Sequence, residues 1–219
     1  MKKTAALLLA LLPLASMAQK ELEIKNSSEL PDLSDKKAEY AFENRTGGEC
    51  INKHSWFDAW CEYSSWMDEV KYEVSASSTL PQQGSNKYFP NLAADGDLST
   101  AWVEGVKGDG KGEKLKFKFE ASTHTISNIL IYTGYVKSPA AYYNNARPKK
   151  LRVYVDGKAT YDLKIQDIYG EQTFELPEVI KIGEGKTIEF EIMEVYPGKK
   201  WQDCAITDIV FYTWDELEF

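Results

Sequence analysis

Two stretches hold the residues with the most evident chemical potential, "EGVKGDGKGEK" (104–114) and "GYVKSPAAYYNNARPKK" (134–150). In the first, Gly105 to Lys111 fits the opening of a phosphate-binding loop, G-x-x-x-x-G-K. Two features turn that reading away. Gly112 stands where a Ser or Thr would reach Mg²⁺. The following "KLKFKFE" alternates lysines with Leu115, Phe117 and Phe119, the period of a half-buried strand, whereas phosphate is held at the N-terminus of a helix. A shaped surface loop is expected instead, its glycines supplying positive φ. The second stretch carries Tyr135, Lys137, Tyr142, Tyr143, Asn144, Asn145 and Arg147. Planar amides and a guanidinium suit the vicinal hydroxyls of sugars, and tyrosine rings stack on their apolar faces. The two loops are expected to face each other at one end of the domain. Glu104, Lys107, Asp109, Tyr135, Lys137, Tyr142, Tyr143, Asn145 and Arg147 are the candidate ligand contacts. Arg147 has a second reading, a charge-assisted pair with Glu104 that fixes both loops.

The same acids could be cast differently. Glu104, Asp109 and Glu113 would be the acid and base of a carboxylate-dependent hydrolase. Nothing in the chain reads as a nucleophile with its base, and the two histidines, His54 and His124, are expected to be solvated. A non-catalytic binding module is therefore the leading expectation, with protein docking as the alternative. Zinc is not expected, because Cys50, Cys61 and Cys204 have too few Cys or His neighbours to complete a site.

The elements that must position these loops are mostly strands. From about Val70 onward, period-two runs recur as "KYEVSAS", "KLKFKFE", "SNILIYT", "KLRVYVD", "ATYDLKI", "QTFELP", "VIKIG", "TIEFEIMEVY" and "AITDIVFY". Turn residues separate them, among them Asp156-Gly157 and Pro197-Gly198. No strand–helix–strand spacing appears, which argues against a parallel sheet and for an antiparallel jelly-roll sandwich. Leu151, Val153 and Val155 would join Ile188, Phe190 and Ile192 in the core, with Glu189 and Glu191 turned to water.

Residues 1–18, "MKKTAALLLALLPLASMA", have the basic start, short apolar run and small residues of an export signal, so a mature chain from Gln19 is expected in the periplasm or medium. The apolar run is too short for a lasting membrane anchor, and no transmembrane segment is expected in the mature chain. Removing Lys2 and Lys3 changes the 26 basic residues to 24 against 34 acidic ones, so the net charge becomes 24 − 34 = −10. Such a chain repels nucleic acid and anionic lipid. Residues 19–69 form an N-terminal extension. Most of 19–48 reads as linker, while "SWFDAWCEYSSWM" places Trp56, Trp60, Tyr63 and Met67 at helical spacing, either packed on the domain or exposed for a partner. In an oxidising compartment Cys50 and Cys61 are expected to pair, leaving Cys204 as a buried thiol. Residues 215–219 are a tail.

Three segments in one order, "YFPNLAADGDLSTAWVEGVKGDGKGE" (88–113), "YTGYVKSPAAYYNNARPKKLRVYVDG" (132–157) and "VYPGKKWQDCAITDIVF" (195–211), resemble the discoidin-like, factor five/eight type C domain of bacterial NAD glycohydrolase toxins. The resemblance covers about residues 70–214. It implies a galactose-binding-like jelly roll, a glycan or glycoconjugate as partner, and a translocation or glycan-binding role without the toxin's NAD-cleaving activity. It also implies that Trp102 is a buried anchor beneath its loop. Related lectin domains hold a structural Ca²⁺ at the "DGDLST" turn and last strand. Carried over, its ligands here would be Asp95, Asp97, Thr100 and Asp208, with Asp208 replacing a more usual Glu; a metal-free turn is the alternative.

Overall fold

The computed structural model describes residues 19–30, 32 and 70–212. The export signal, the aromatic segment 55–67, the Cys50–Cys61 pair and the tail lie outside the described residues.

The chain runs β1 (Lys20–Leu22), β2 (Asn26–Glu29), β3 (Tyr72–Ala76), β4 (Trp102–Val103), β5 (Lys114–Phe119) and β6 (Thr125–Thr133). A short helix, α1 (Pro139–Asn144), precedes β7 (Arg147–Val155), β8 (Lys158–Lys164), β9 (Gly170–Lys181), β10 (Thr187–Tyr196) and β11 (Ala205–Tyr212). Six strands form one sheet in the order β1-β8-β7-β10-β5-β3, and five form the other as β2-β9-β6-β11-β4. No helix among the described residues is long and apolar enough to cross a membrane.

Strict alternation builds the core. Leu115 and Phe117 of β5, Leu151 and Val153 of β7, and Ile188, Phe190 and Ile192 of β10 all point inward and are fully buried. They meet Ile129, Ile131, Phe174, Ile209 and Phe211 from the second sheet. Phe117 and Phe211 cross between the sheets edge to face, 5.0 Å apart at 89°. Each such side chain contributes roughly 1.5–3 kcal/mol relative to exposure. Trp102 is also fully buried, and its indole N–H donates to the Ser78 carbonyl at 3.0 Å. That bond satisfies the one polar atom an anchoring tryptophan brings inside.

On the outer face of the first sheet, the register sets Glu189 opposite Lys116 and Glu191 opposite Lys114. Lys116 Nζ reaches Glu189 Oε1 at 3.0 Å, and the Tyr154 hydroxyl donates to Glu191. Both acids do turn outward, but lysine stems and the tyrosine roof them, leaving their side chains 16% and 19% exposed.

Three differences from the sequence reading have physical causes. Lys20–Leu22 and Asn26–Glu29, expected within a linker, are strands. β1 pairs parallel with β8, and β2 antiparallel with β9, so the extension edges both sheets. Leu22 is buried, while Lys150–Glu21 and Lys164–Glu23 pair at 3.0 Å on the outer side. An edge strand with one buried residue leaves almost no period to detect. "QTFELP" and "VIKIG" are one strand, β9, because Pro177 falls in a register shift against β6, where no ladder N–H is required. The third is α1, six residues capped by Ser138, whose Oγ accepts the Ala141 N–H at 3.1 Å.

Candidate functional site

Three segments meet at one end of the sandwich, and the backbone of Cys204 joins them. Its carbonyl accepts the Glu104 N–H at 3.2 Å, and its own N–H donates to Glu104 Oε1 at 3.0 Å. On the other side Cys204 forms a parallel bridge with Ala146, whose N–H donates to the Asp203 carbonyl at 3.1 Å. The Gly-rich loop, the 134–147 segment and the 197–204 segment are thereby held side by side. Cys204 itself is a buried free thiol, and burial raises its pKa well above the ordinary value.

Glu104 is a clasp inside this junction. It is fully buried, and its Oε2 accepts the Val106 N–H at 2.8 Å. Burial raises its carboxyl pKa, opposed by the two N–H donors. Gly110 lies directly on it at φ 72°, where a Cβ would sit 2.5 Å from Glu104 Cγ. The loop can close over the carboxylate only with glycine there. Glu104 is thus not available to a ligand, and it does not pair with Arg147.

Arg147 pairs with Asp167 instead. Its Nε donates to Asp167 Oδ1 at 2.7 Å and a terminal nitrogen to Oδ2 at 2.5 Å, the fork a guanidinium makes with a carboxylate. The other terminal nitrogen donates to the Asn145 and Pro197 carbonyls, both at 3.3 Å. Tyr142, Tyr143 and Tyr196 surround the cation, with ring centroids 4.9, 5.3 and 5.8 Å from Cζ. The residue is 5% exposed, so Arg147 is a tie between loops and not a ligand contact.

Tyr142 is likewise a correction. It was expected to stack on ligand, yet it is fully buried, and its hydroxyl donates to the Ile168 carbonyl at 2.8 Å and to Asp167 at 3.1 Å. Consecutive residues of a helix point about 100° apart, so burying Tyr142 turns Tyr143 outward, where it is 36% exposed. Asn145 spends its amide on the helix end, donating to the Ala141 carbonyl at 2.8 Å. Tyr135 is half-buried against Tyr88, Val103 and Ala205. Asp109 pairs with Lys111 at 2.8 Å, which holds its carboxyl below the usual range. Lys107 and Lys137 are exposed.

The sequence reading missed an exposed ring at this end. Trp201 is 46% exposed on the loop that follows β10. The loop is pinned to α1: Lys199 N–H donates to the Tyr143 carbonyl, and Lys200 and Trp201 N–H both donate to the Asn144 carbonyl, at 2.9, 3.0 and 2.9 Å. Gly198 makes this approach possible, since a Cβ would meet the Asn144 oxygen at 2.5 Å. Lys199 Nζ stands 5.1 Å from the Tyr143 ring and Lys200 Nζ 5.3 Å from the Trp201 ring. The available signal was "PGKKW": a turn, two lysines and a tryptophan ahead of the apolar strand that would otherwise bury it.

The acids of the hydrolase alternative are not arranged as an acid–base pair. Glu104 is enclosed, Asp109 is paired with lysine, and Glu113 accepts the Ser77 hydroxyl at 2.5 Å. His124, expected to be solvated, is part-buried, with Nδ1 2.9 Å from Ser122 Oγ. The same oxygen accepts the His124 backbone N–H at 3.1 Å, a local turn.

The "DGDLST" turn gathers oxygens around the Thr100 hydroxyl. It lies 2.9 and 3.1 Å from the two Asp95 carboxylate oxygens, 3.1 Å from the Asp97 carbonyl and 3.5 Å from the Leu92 carbonyl. Asp97 Oδ1 accepts the Ser99 N–H at 2.8 Å. Asp208 is buried with Oδ1 lacking any hydrogen-bond partner, and burial, then the nearby Asp95, push its pKa up to about 7. No group of three or more His, Cys, Asp or Glu among the described residues could by itself hold a metal. The donor set is instead mixed, of carboxylates, carbonyls and a hydroxyl, all the hard oxygens that Ca²⁺ prefers. Asp208 adds a buried carboxylate oxygen that no hydrogen bond occupies, of the same chemical kind.

Residues 62–212 match the family described as the NAD glycohydrolase translocation F5/8 type C domain. The chain belongs to this family. A comparison with curated proteins finds no match. Among solved structures, the family 32 carbohydrate-binding and M60 catalytic domains of Clostridium perfringens ZmpB share the fold. The TM-score is 0.51 at 12% identity, over 84% of this chain. The chain spans 21% of that protein's length. A family 32 carbohydrate-binding module from a C. perfringens family 31 glycoside hydrolase aligns at 14% identity and TM-score 0.46, over 64% of this chain and 94% of its own. One from Streptococcus pneumoniae EndoD aligns at 10% and 0.47, over 65% and 96%. The sandwich described above is thus an F5/8 type C, discoidin-like fold.

Proposed function

We propose that this F5/8 type C module acts outside the cytoplasm as a non-catalytic glycan-binding unit, through a ledge made by Tyr143 and Trp201. The observation that carries the reading is that both rings are exposed on backbone locked by three inter-loop hydrogen bonds. A ring held still loses little entropy when a sugar stacks on it. Lys199 and Lys200 beside the rings favour a glycan bearing carboxylate groups. Lys107, Asp109 and Lys137 are polar groups on the adjoining loops, and Ca²⁺ at Asp95, Asp97, Thr100 and Asp208 would brace the turn above Trp102. A shallow ledge gives weak affinity per copy, in the range where multivalency matters.

The test is a glycan array on the secreted protein, with and without chelator, alongside Trp201→Ala and Tyr143→Ala. Each substitution should lower binding at least tenfold while shifting the melting temperature by less than about 2 °C, as is usual for exposed positions. Retained binding in both variants would refute the ledge. The family's description also names translocation, and an exposed tryptophan flanked by lysines has the composition of a protein hot spot. An array that stays blank while a stoichiometric protein co-purifies, and is lost in Trp201→Ala, would favour that accessory reading.

A further inference from the structure

Tyr143 faces outward because its neighbour Tyr142 is seated inward, and the seat lies in the connection between β8 and β9, residues 165–169. The Tyr142 hydroxyl bonds Asp167 and the Ile168 carbonyl, and its ring meets Tyr169 edge to face, 5.6 Å between centroids at 71°. Tyr142 and Tyr143 also meet edge to face, at 5.0 Å. Tyr169 donates its hydroxyl to the Val136 carbonyl at 2.9 Å, just ahead of α1. Gln172 of β9 fixes the start of the same segment. Its side-chain oxygen accepts the Gln166 N–H at 2.8 Å, and its amide donates to the Gln166 carbonyl at 3.0 Å.

An N-terminal strap, made of β1, β2 and Leu30, lies against this seat. Ser27 is the register partner of Gln172, and Ser28 of Glu171. The Leu30 N–H donates to the Tyr169 carbonyl at 2.9 Å, and the Leu30 side chain packs on the cluster that contains Tyr169 and Tyr142. The strap itself is lightly held. Leu22 is buried, while Ile24 and Leu30 are only partly so. Its ion pairs, Lys150–Glu21, Lys164–Glu23 and Lys25–Glu175, lie at the surface, where such pairs contribute little. Edge elements with few buried groups open before the core does. The strap also precedes the family match, which begins at residue 62.

We infer that residues 20–30 position the ledge, with Leu30 and Tyr169 as the positioning residues. Docked, the strap holds the Tyr169 backbone and with it the seat of Tyr142. Tyr143, and the 197–201 loop bonded to its carbonyl, then keep one shape. A helix of six residues is set by its packing more than by its own hydrogen bonds, so α1 follows its seat. The strap is thus an element with two states, and the ledge has its binding shape in one of them. This coupling stands on the fold, and only its consequence for binding rests on the glycan reading.

Hydrogen exchange on the full secreted chain tests it. Ser28→Pro removes a backbone donor within β2. It should speed exchange at 20–30 and, at least fivefold, at 139–145 and 197–201. Ser75→Pro makes the same change in β3, an edge strand of the first sheet, and should leave 139–145 and 197–201 as in the parent. A released strap with unchanged exchange at 139–145 and 197–201, or equal loosening there by Ser75→Pro, would overturn the inference. Leu30→Ala keeps the β2–β9 pairing and should loosen 139–145 while 20–28 stays protected; an unchanged 139–145 would count equally against it. On a glycan array Ser28→Pro should give at most a fifth of the parent's signal. A blank array for the parent would refute the glycan reading alone, whereas a parental signal kept by a strap-released Ser28→Pro would refute the positioning role.

Discussion

Replacing Arg147 by alanine perturbs a side chain that ties three loops together. The substitution removes a two-point bond to Asp167, two bonds to the Asn145 and Pro197 carbonyls, and a cation among three tyrosine rings. Cutting one partner from a buried pair costs about 3–5 kcal/mol, chiefly because the other charge is left in a dry site. Here the Arg147 side chain is 6% exposed but that of Asp167 is 34% exposed, so water can rehydrate the stranded carboxylate. The expected loss is therefore lower, about 2–3 kcal/mol. For a chain of this length that lowers the melting temperature by about 5–10 °C. Arg147→Lys should recover less than half, because an ammonium cannot form the fork and reach both carbonyls. The decisive measurement is a double-mutant cycle with Asp167→Asn by urea denaturation, with an expected coupling of about 1–3 kcal/mol. A coupling indistinguishable from zero, or an Arg147→Ala melt within 2 °C of the parent, would refute the role given to this pair.

Calcium at a hundred times its dissociation constant should add about 2.7 kcal/mol of stability, which chelator removes and Asp97→Ala or Asp208→Asn abolishes; identical melts with calcium and with chelator would eliminate the site. Gly170→Ala places a Cβ 1.9 Å from the Ser28 carbonyl oxygen, so β2 must leave the sheet, and hydrogen exchange at residues 26–29 should lose its protection. Arg152 beside Asp162 holds that carboxyl below its ordinary pKa. Its stabilisation is complete above the unfolded value near 3.9 and is lost as pH falls through the lower folded value. Asp162→Asn should therefore flatten the acid limb of the stability curve below about pH 4, and an unchanged limb would show that the pair does not matter there.

Much of the sandwich was legible in the chain because its rule is local. A side chain two residues on lies on the same face of a strand, so Phe117, Leu151 and Phe190 declare the core wherever the strands end up. The same alternation in "KLKFKFE" excluded a phosphate loop before any coordinates, and the ordered motifs around Trp102 pointed to the discoidin-like sandwich. The site is another matter. Both acids open to Arg147 are far from it in sequence, and Asp167 takes it because Glu104 is occupied by the Cys204 and Val106 N–H groups. Tyr142 and Tyr143 are adjacent and chemically alike, and only the seating of a six-residue helix on Asp167 and Ile168 sends one inward and the other to water. Residues 20–29 carry too little apolar pattern to announce themselves; two sheet edges with unpaired backbone groups and facing lysines draw them in. Alternation between neighbours is written in the chain, whereas competition between distant groups for one partner exists only after the sheets have brought them together.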